Sequence, residues 1–452
     1  MLSKITVSPI DRQAAGKALR DNVPRSTHAD WNPSNSRPDP IVLLEASNAG
    51  RLPNLIPIRY GRMLKSPFTF LRGSAIVMAS DLATTPTTGI KVQACGDCHL
   101  LNFGGYATPE RNLVFDVNDF DETLPAPWEW DIKRLAASIV VAGRYIKVSE
   151  KNCFEAARAA TCYYREHISN YATMSPLNVW YSRIDAEVLR DLARDTDHYP
   201  RIDQHIEKAF TRTSAHALPK LTEVVQGRRQ IIDKPPLMYH LRSDDLLEEE
   251  VESVFLQYRS SLRDDLHVLL DRYQLVDIAI KVVGVGSVGT RCVVALLMAD
   301  DNEPLFLQMK EARASVLEPY VGKSIYSNHG QRVVAGQRLM QAASDMFLGW
   351  CKSNQGHDFY VRQLRDMKVG VNIEDLSTDE FRGYSALCGW ALARSHARSG
   401  DPAMISGYLG KSNTFDLAIA NFAVAYANQT ECDHQALVAA VKSGKITAVE
   451  EK

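Results

Sequence analysis

Three residues set the chemical question. Asp97 and Asn102 lie five positions apart in "CGDCHLLNFG", and Asp119 follows seventeen residues later in "VFDVNDFDE". An aspartate, an asparagine and a second aspartate are the groups phosphoryl transfer needs. One carboxylate orients or deprotonates an acceptor hydroxyl, and the other two side chains offer hard oxygens to Mg²⁺. Taken singly, each is also an ordinary turn residue, because Asp and Asn bond readily to nearby backbone. Their joint placement after short apolar, β-branched segments, with four acids in the eight residues "FDVNDFDE", favours the chemical role.

The same stretch offers a competing pattern. "CGDCH" has the two thiols and the histidine that attach a c-type haem. That chemistry needs an exported chain, and "MLSKITVSPIDRQAAGK" lacks the apolar core of a secretory signal. A structural zinc would need a second CxxC or a paired histidine at ligand spacing, and none follows. The eight cysteines are scattered, so reduced thiols in a cytoplasm are expected.

A second constellation lies far downstream. "GVGSVG" places Gly284, Gly286, Ser287 and Gly289 between two apolar β-rich stretches. Glycines let backbone amides approach phosphates closely. A helix does not follow, so the turn reads as a strand–loop–strand flap rather than a dinucleotide-binding turn. Lys310 sits on the next strand, "PLFLQMKEA". Alternation puts it on the face opposite Met309, where it would reach phosphates. Glu318, in "SVLEPY", is the nearest acid that could pair with Lys310 from a following helix, while the adjacent Glu311 should point away. In "ALARSHARSGD", His396 and Arg398 read equally as helix-surface residues. "SPFTFLRG" (66–73) is unusual in composition but yields no role by itself.

These residues need elements to hold them. With 452 residues, 45% apolar and 23% charged, the chain can bury a large core in two or three units. A net charge of −2 argues against a general nucleic-acid or anionic-membrane binder. Residues 1–60 read as an arm, irregular around "WNPSNSRPDPI". Residues 61–270 read as helix-rich and carry the two acidic loops, with short strands at 90–95 and 112–120. Residues 271–370 read as β-rich and carry the flap, three strands over 276–312, a helix over 330–347 and a strand over 358–364. Residues 371–452 return to helix. The longest apolar runs are too short to span a bilayer.

"RYGRMLKSPFTFLRG", "GDCHLLNFG", "VFDVNDFDETLPAPWEWDIKRLAAS", "GVGSVGTRC", "FLQMKEARASVLEPY", "GQRLMQAASDMFLGW" and "YVRQLRDMK" resemble the bacterial domain-of-unknown-function family 2252, from about Arg12 to Gln435. More distantly, "GDCHLLN" is similar to the H-G-D-x-H-x-x-N loop of aminoglycoside-phosphotransferase-like kinases. That likeness implies an α+β, protein-kinase-like fold of two lobes, a helix-rich large lobe and a small antiparallel β lobe. Asp97 would be catalytic, Asn102 and Asp119 metal-binding, and His99 the second histidine of the motif. Asp119 would be the metal-binding aspartate of their I-D-F/W-x-D pattern, with Asp121 a supporting acid beside it, and Asp131 would brace the loop. Cys95 replaces the motif's first histidine. The kinase order is flap, lysine, catalytic loop; here the catalytic loop comes first, so the likeness implies a circular permutation. The expected cofactors are ATP and Mg²⁺, and the expected partner is a small-molecule acceptor. A nucleotide-binding protein with little catalysis and a nucleotidyl transferase remain alternatives, as does a metal-dependent hydrolase using His99, Asp116, Asp119 and Asp121.

Overall fold

The computed structural model describes residues 7–194, 197–240, 248–300, 303–364 and 367–450. It is a mixed α+β structure. Its strands, in chain order, are β1 (Lys91–Ala94), β2 (Phe103–Ala107), β3 (Leu113–Val117), β4 (Leu124–Pro127), β5 (Thr222–Val225), β6 (Arg228–Ile231), β7 (Met238–Tyr239), β8 (Gln274–Lys281), β9 (Cys292–Met298), β10 (Pro304–Ala312), β11 (Gly349–Lys352) and β12 (Asp358–Gln363). Six of them form one antiparallel sheet in the order β11-β12-β10-β9-β8-β7. The remaining six form three small pairs: β1 with β4, β2 with β3, and β5 with β6.

The largest core lies among helices. Trp128–Tyr145, Glu150–Tyr171, Thr378–Ser399 and Thr414–Lys442 pack around Leu135, Ile139, Tyr164, Leu392 and Phe422, all fully buried. β1 to β4 lean on this bundle, with Ala94, Phe103, Val117 and Leu124 in the same core. The two acidic loops therefore spring from short pairs anchored on a rigid helical base. No helix among the described residues is long and apolar enough to cross a membrane.

The large sheet uses both faces, as period-2 alternation dictates. Leu305, Leu307 and Leu297 pack with Tyr258, Leu262 and Leu266 on one side. Phe306, Val294 and Ala279 pack with Leu218 and Leu221 on the other. Lys310 and Met309 fall on opposite faces, as the pattern predicts.

Several expectations about elements change. Within the stretch 61–270 that reads as helix-rich, Thr222–Ile231 is a hairpin. Gln226 and Gly227 at its tip both have positive φ, 49° and 78°, the backbone of a two-residue type I′ turn. The helix read over 330–347 ends at Met340, where Gln341 turns extended. β11 follows it as a strand that the sequence pattern did not reveal. In the arm, Trp31 packs edge-on against Tyr426, with ring centroids 5.1 Å apart. Arg37 forks onto Asp81 and Asp433 at 2.6–2.8 Å, tying the arm to the C-terminal helix.

Candidate active site

One helix face builds the loop that carries Asp97. Asp131, Arg134 and Ser138 recur at spacings of three and four, so they share a face of Trp128–Tyr145. Asp131 accepts from the amides of Cys95 (2.8 Å) and Gly96 (3.0 Å). Arg134 donates to Asp97 Oδ1 through Nε (2.7 Å), and its Nη2 makes an ion-pair contact with the same oxygen at 2.5 Å. Ser138 Oγ accepts from the Leu100 amide at 2.9 Å. Asp131 thus sits behind the loop, with its two oxygens on two of the loop's amides. His396, fully buried, supports Asp131 from behind at 3.3 Å and bonds Tyr164 through its other ring nitrogen.

Gly96 has φ +81°, and a β-carbon there would lie 2.4 Å from the Glu122 carbonyl. The two acidic loops thus touch at a point only glycine allows. Asn102 closes the loop from the other end: its Nδ2 donates to the Asp97 carbonyl at 2.6 Å. No hydrogen bond among the described residues uses its Oδ1, and Asn102 lines the cleft. Asp119 also lines the cleft; its Oδ1 accepts the Asp121 amide at 3.2 Å, and its carboxylate enters no ion pair among the described residues.

Asp97, His99, Asn102, Asp119, Asp121, Gly284, Gly286, Ser287 and Lys310 line one cleft of about 530 Å³. Lys310 Nζ lies 2.7 Å from Asp121 Oδ2, and Ser287 Oγ donates to the same oxygen at 3.0 Å. Tyr360, opposite Lys310 in the β10–β12 register, donates to Asp121 Oδ1 at 2.6 Å. Burial alone would raise the Asp121 carboxyl; Lys310, the Tyr360 hydroxyl and Arg362 outweigh it and hold the group at about 2. Burial likewise opposes charge on Lys310, but Asp121 lifts it well above its ordinary value. Burial raises Asp97, and Arg134 tempers the rise. His99 is pushed well below its usual range by burial, then by Arg72 and Arg134, so it is neutral.

Four of the sequence-predicted residues fall outside the cleft. Glu318 does not meet Lys310. It opens a short helix beyond the turn that ends β10, with Oε1 4.0 Å from His329 Nδ1. The partner of Lys310 comes instead from the acidic loop. Gly289 lies outside the cleft; its φ of +88° and its carbonyl, bonded to the Leu52 amide at 2.7 Å, fix the far end of the flap. Asp131 sits behind the loop. Asp116, proposed for a hydrolytic cluster, is fully buried on Arg394 at 2.7 Å and takes no part in the cleft. Arg398 stacks over Trp180 at 4.0 Å.

The cleft also holds residues that the sequence did not assign. Arg72 comes from "SPFTFLRG", a short helix whose Ser66 and Thr69 form a reciprocal cap. Arg362 lies two residues beyond Tyr360 on the same face of β12. Arg51, Arg59 and Arg313 line the cleft as well. Arg332 grips the acidic loop through the Asp121 and Thr123 carbonyls, at 2.8 and 2.6 Å. Cys95, Cys98 and Asp131 bring their ligand atoms within 4.8 Å of one another. Both Asp131 oxygens already serve backbone amides, and burial pushes Cys98 up to about 11 and Cys95 well above its usual value.

Residues 51–440 match the model of a family described as an uncharacterised protein conserved in bacteria, DUF2252. The chain belongs to DUF2252. No curated protein and no solved structure matches it. All the cleft residues named above lie within the matched span.

Proposed function

We propose that the chain is an ATP- and Mg²⁺-dependent phosphotransferase with a circularly permuted, kinase-like arrangement of two lobes. One observation carries this reading: Lys310 and Ser287 reach Asp121 across 189 and 166 residues of chain, at 2.7 and 3.0 Å. A glycine-rich flap, a lysine on the third strand of an antiparallel run, and an Asp…Asn…Asp set converge on one cleft. Kinases use these parts in that spatial relation. Chain order does not alter chemistry when the groups meet in space.

The donor set suits Mg²⁺. Asn102 and Asp119 line the cleft and offer hard oxygens that would hold the ion. Mg²⁺ there would neutralise charge on the phosphates. Lys310 and the amides around Gly284 and Gly286 would bind the same phosphates. Asp97 has one oxygen committed to Arg134, leaving Oδ2 for the acceptor hydroxyl. The acceptor proton passes to Asp97 as the acceptor oxygen bonds to the γ-phosphorus. The bond from that phosphorus to ADP breaks. Burial makes Asp97 a better base than an exposed aspartate. The eight unpaired cysteines suit a reducing, ATP-containing compartment, the cytoplasm.

Calorimetric titration of ATP with and without Mg²⁺ tests the reading on wild type, Asp119→Ala and Lys310→Ala. Mg²⁺-dependent binding is expected in wild type and lost in both variants. Absence of binding by wild type sinks the proposal. Binding indifferent to Lys310→Ala removes the permuted arrangement. Product analysis with labelled ATP and cell extract separates phosphoryl transfer from nucleotidyl transfer and from binding alone.

A further inference from the structure

The acids of the cleft are mostly committed. Asp97 pairs with Arg134, Asp121 with Lys310, and Glu311 with Arg291. Four arginines of the same cleft are not. Among the described residues, Arg51, Arg59, Arg72 and Arg313 enter no ion pair within 4 Å. Arg51 donates to the carbonyls of Ser47 (3.0 Å) and Val288 (2.5 Å). Arg59, 1% exposed, donates to the Gly73 carbonyl at 2.9 Å and to the Asn48 side chain, and its Nε has no partner. Arg313 reaches the carbonyls of Ser47 and Ala49. Among the described residues the Arg72 guanidinium has no hydrogen-bond partner; it lies 5.8 Å from the Phe68 ring.

Neutral carbonyls fix the direction of Arg51, Arg59 and Arg313, and among the described residues none of the four guanidiniums has an acid within ion-pair distance. Unmatched, partly desolvated charge is costly. Burial and then the neighbouring Arg313 push Arg51 down to about 10, and burial followed by Arg51 pushes Arg59 down. A guanidinium held in place with free N–H groups is the usual partner of carboxylate and phosphate. The phosphates of a nucleotide already have Lys310, the flap and the metal ligands. Arg72 lines the cleft together with Asp97 and Asp119, and those two carboxylates are the acids that offset the effect of burial on it.

We propose that the acceptor is a small hydroxylated anion, its carboxylate or phosphate group seated on Arg51, Arg59, Arg72 and Arg313. This rests on the phosphotransferase reading for the word acceptor; the anion site itself does not. A polycationic acceptor of the aminoglycoside type would face four guanidiniums and is excluded by the same charge. The apolar side chains of Leu43 and Ile76 on the same cleft leave room for a hydrocarbon portion beside the charged group.

Inorganic phosphate and citrate, titrated by calorimetry with and without Mg²⁺ and the non-hydrolysable analogue AMP-PNP, test this on the full chain. Spermidine and glycerol serve as cationic and neutral controls. At least one of the two anions is expected to bind with AMP-PNP present, and the stronger one identifies phosphate or carboxylate as the recognised group. Arg72→Gln and Arg313→Gln, checked for folding by circular dichroism, should weaken that binding tenfold or more, while Arg72→Lys retains most of it. Anion binding abolished by AMP-PNP would assign the arginines to nucleotide phosphates and overturn the acceptor site. No anion binding in any arm, or binding unchanged in both Gln variants, overturns it as well. Arginine-dependent anion binding without AMP-PNP binding would leave the anion site standing and remove the nucleotide.

Discussion

Lys310 Nζ lies 2.7 Å from Asp121 Oδ2, joining the third strand of the large sheet to the acidic loop of the helical part. Lys310 is almost fully covered and Asp121 about one quarter exposed. Removing one partner of a well-covered pair leaves the other uncompensated. Asp121→Ala should therefore cost about 2–3 kcal/mol, reduced from the fully buried range by the exposure of the carboxylate. Urea denaturation of the variant against wild type measures it.

The same pair predicts an acid limb. Asp121 titrates at about 2 in the fold, against an ordinary value of 3.8. A depressed carboxylate contributes fully above its unfolded value and loses the contribution as pH falls through its folded value. Wild type should lose stability between about pH 4 and pH 2 more steeply than Asp121→Asn. Denaturation midpoints across that window would read the difference; parallel limbs would refute it.

Asp97 should behave in the opposite sense. Its folded value lies above the ordinary 3.8, chiefly because it is buried. If it accepts the acceptor proton, kcat/KM rises with pH through an ionisation above that ordinary value. Asp97→Asn should lower kcat by about 10²–10⁴-fold and leave Mg²⁺-ATP binding within a few-fold of wild type. A fall in binding as large as the fall in kcat would make Asp97 a nucleotide-binding or structural residue.

Asp131 lets structural and chemical roles be separated. Both oxygens accept backbone amides, at 2.8 and 3.0 Å. Asp131→Asn turns one acceptor into a donor facing an N–H, so one amide is left unsatisfied at a cost of about 1–3 kcal/mol. Thermal denaturation should show the loss, and kcat should fall because the Asp97 loop is no longer held. His396→Ala should reproduce part of it, since His396 touches Asp131 and not the cleft.

How much of this was legible in the sequence follows from separation along the chain. Asp97, Asn102 and Asp119 could be read together because short strands and a tight loop fix their relation locally. Strand alternation placed Lys310 on the cleft face for the same reason. Its partner was misassigned to Glu318 because sequence proximity favours a nearby acid, whereas the packing of β10 over the acidic loop selects Asp121. Arg72 lay in a segment that looked unusual, but only tertiary contacts aim it into the cleft. Asp131, Arg134 and Ser138 did carry a readable signal, one helical face at spacings of three and four. The hairpin Thr222–Ile231 escaped because its first strand is mostly exposed, so no buried alternation marks it.

Arg332 offers the most direct test of how the two parts are coupled. It is 1% exposed, and it donates to the carbonyls of Asp121 (2.8 Å), Thr123 (2.6 Å) and Arg313 (2.8 Å). One guanidinium thereby ties the acidic loop to the end of the strand that bears Lys310. A planar fork makes three such bonds in fixed directions, and a lysine cannot reproduce them. Arg332→Lys should leave at least one buried carbonyl unsatisfied, costing about 1–3 kcal/mol. It should also loosen the Lys310–Asp121 contact. Binding of Mg²⁺-ATP should weaken by more than the stability loss alone explains, at a temperature where the variant remains folded. If calorimetry finds wild-type affinity in the folded variant, Arg332 supports the fold without coupling the strand to the acidic loop.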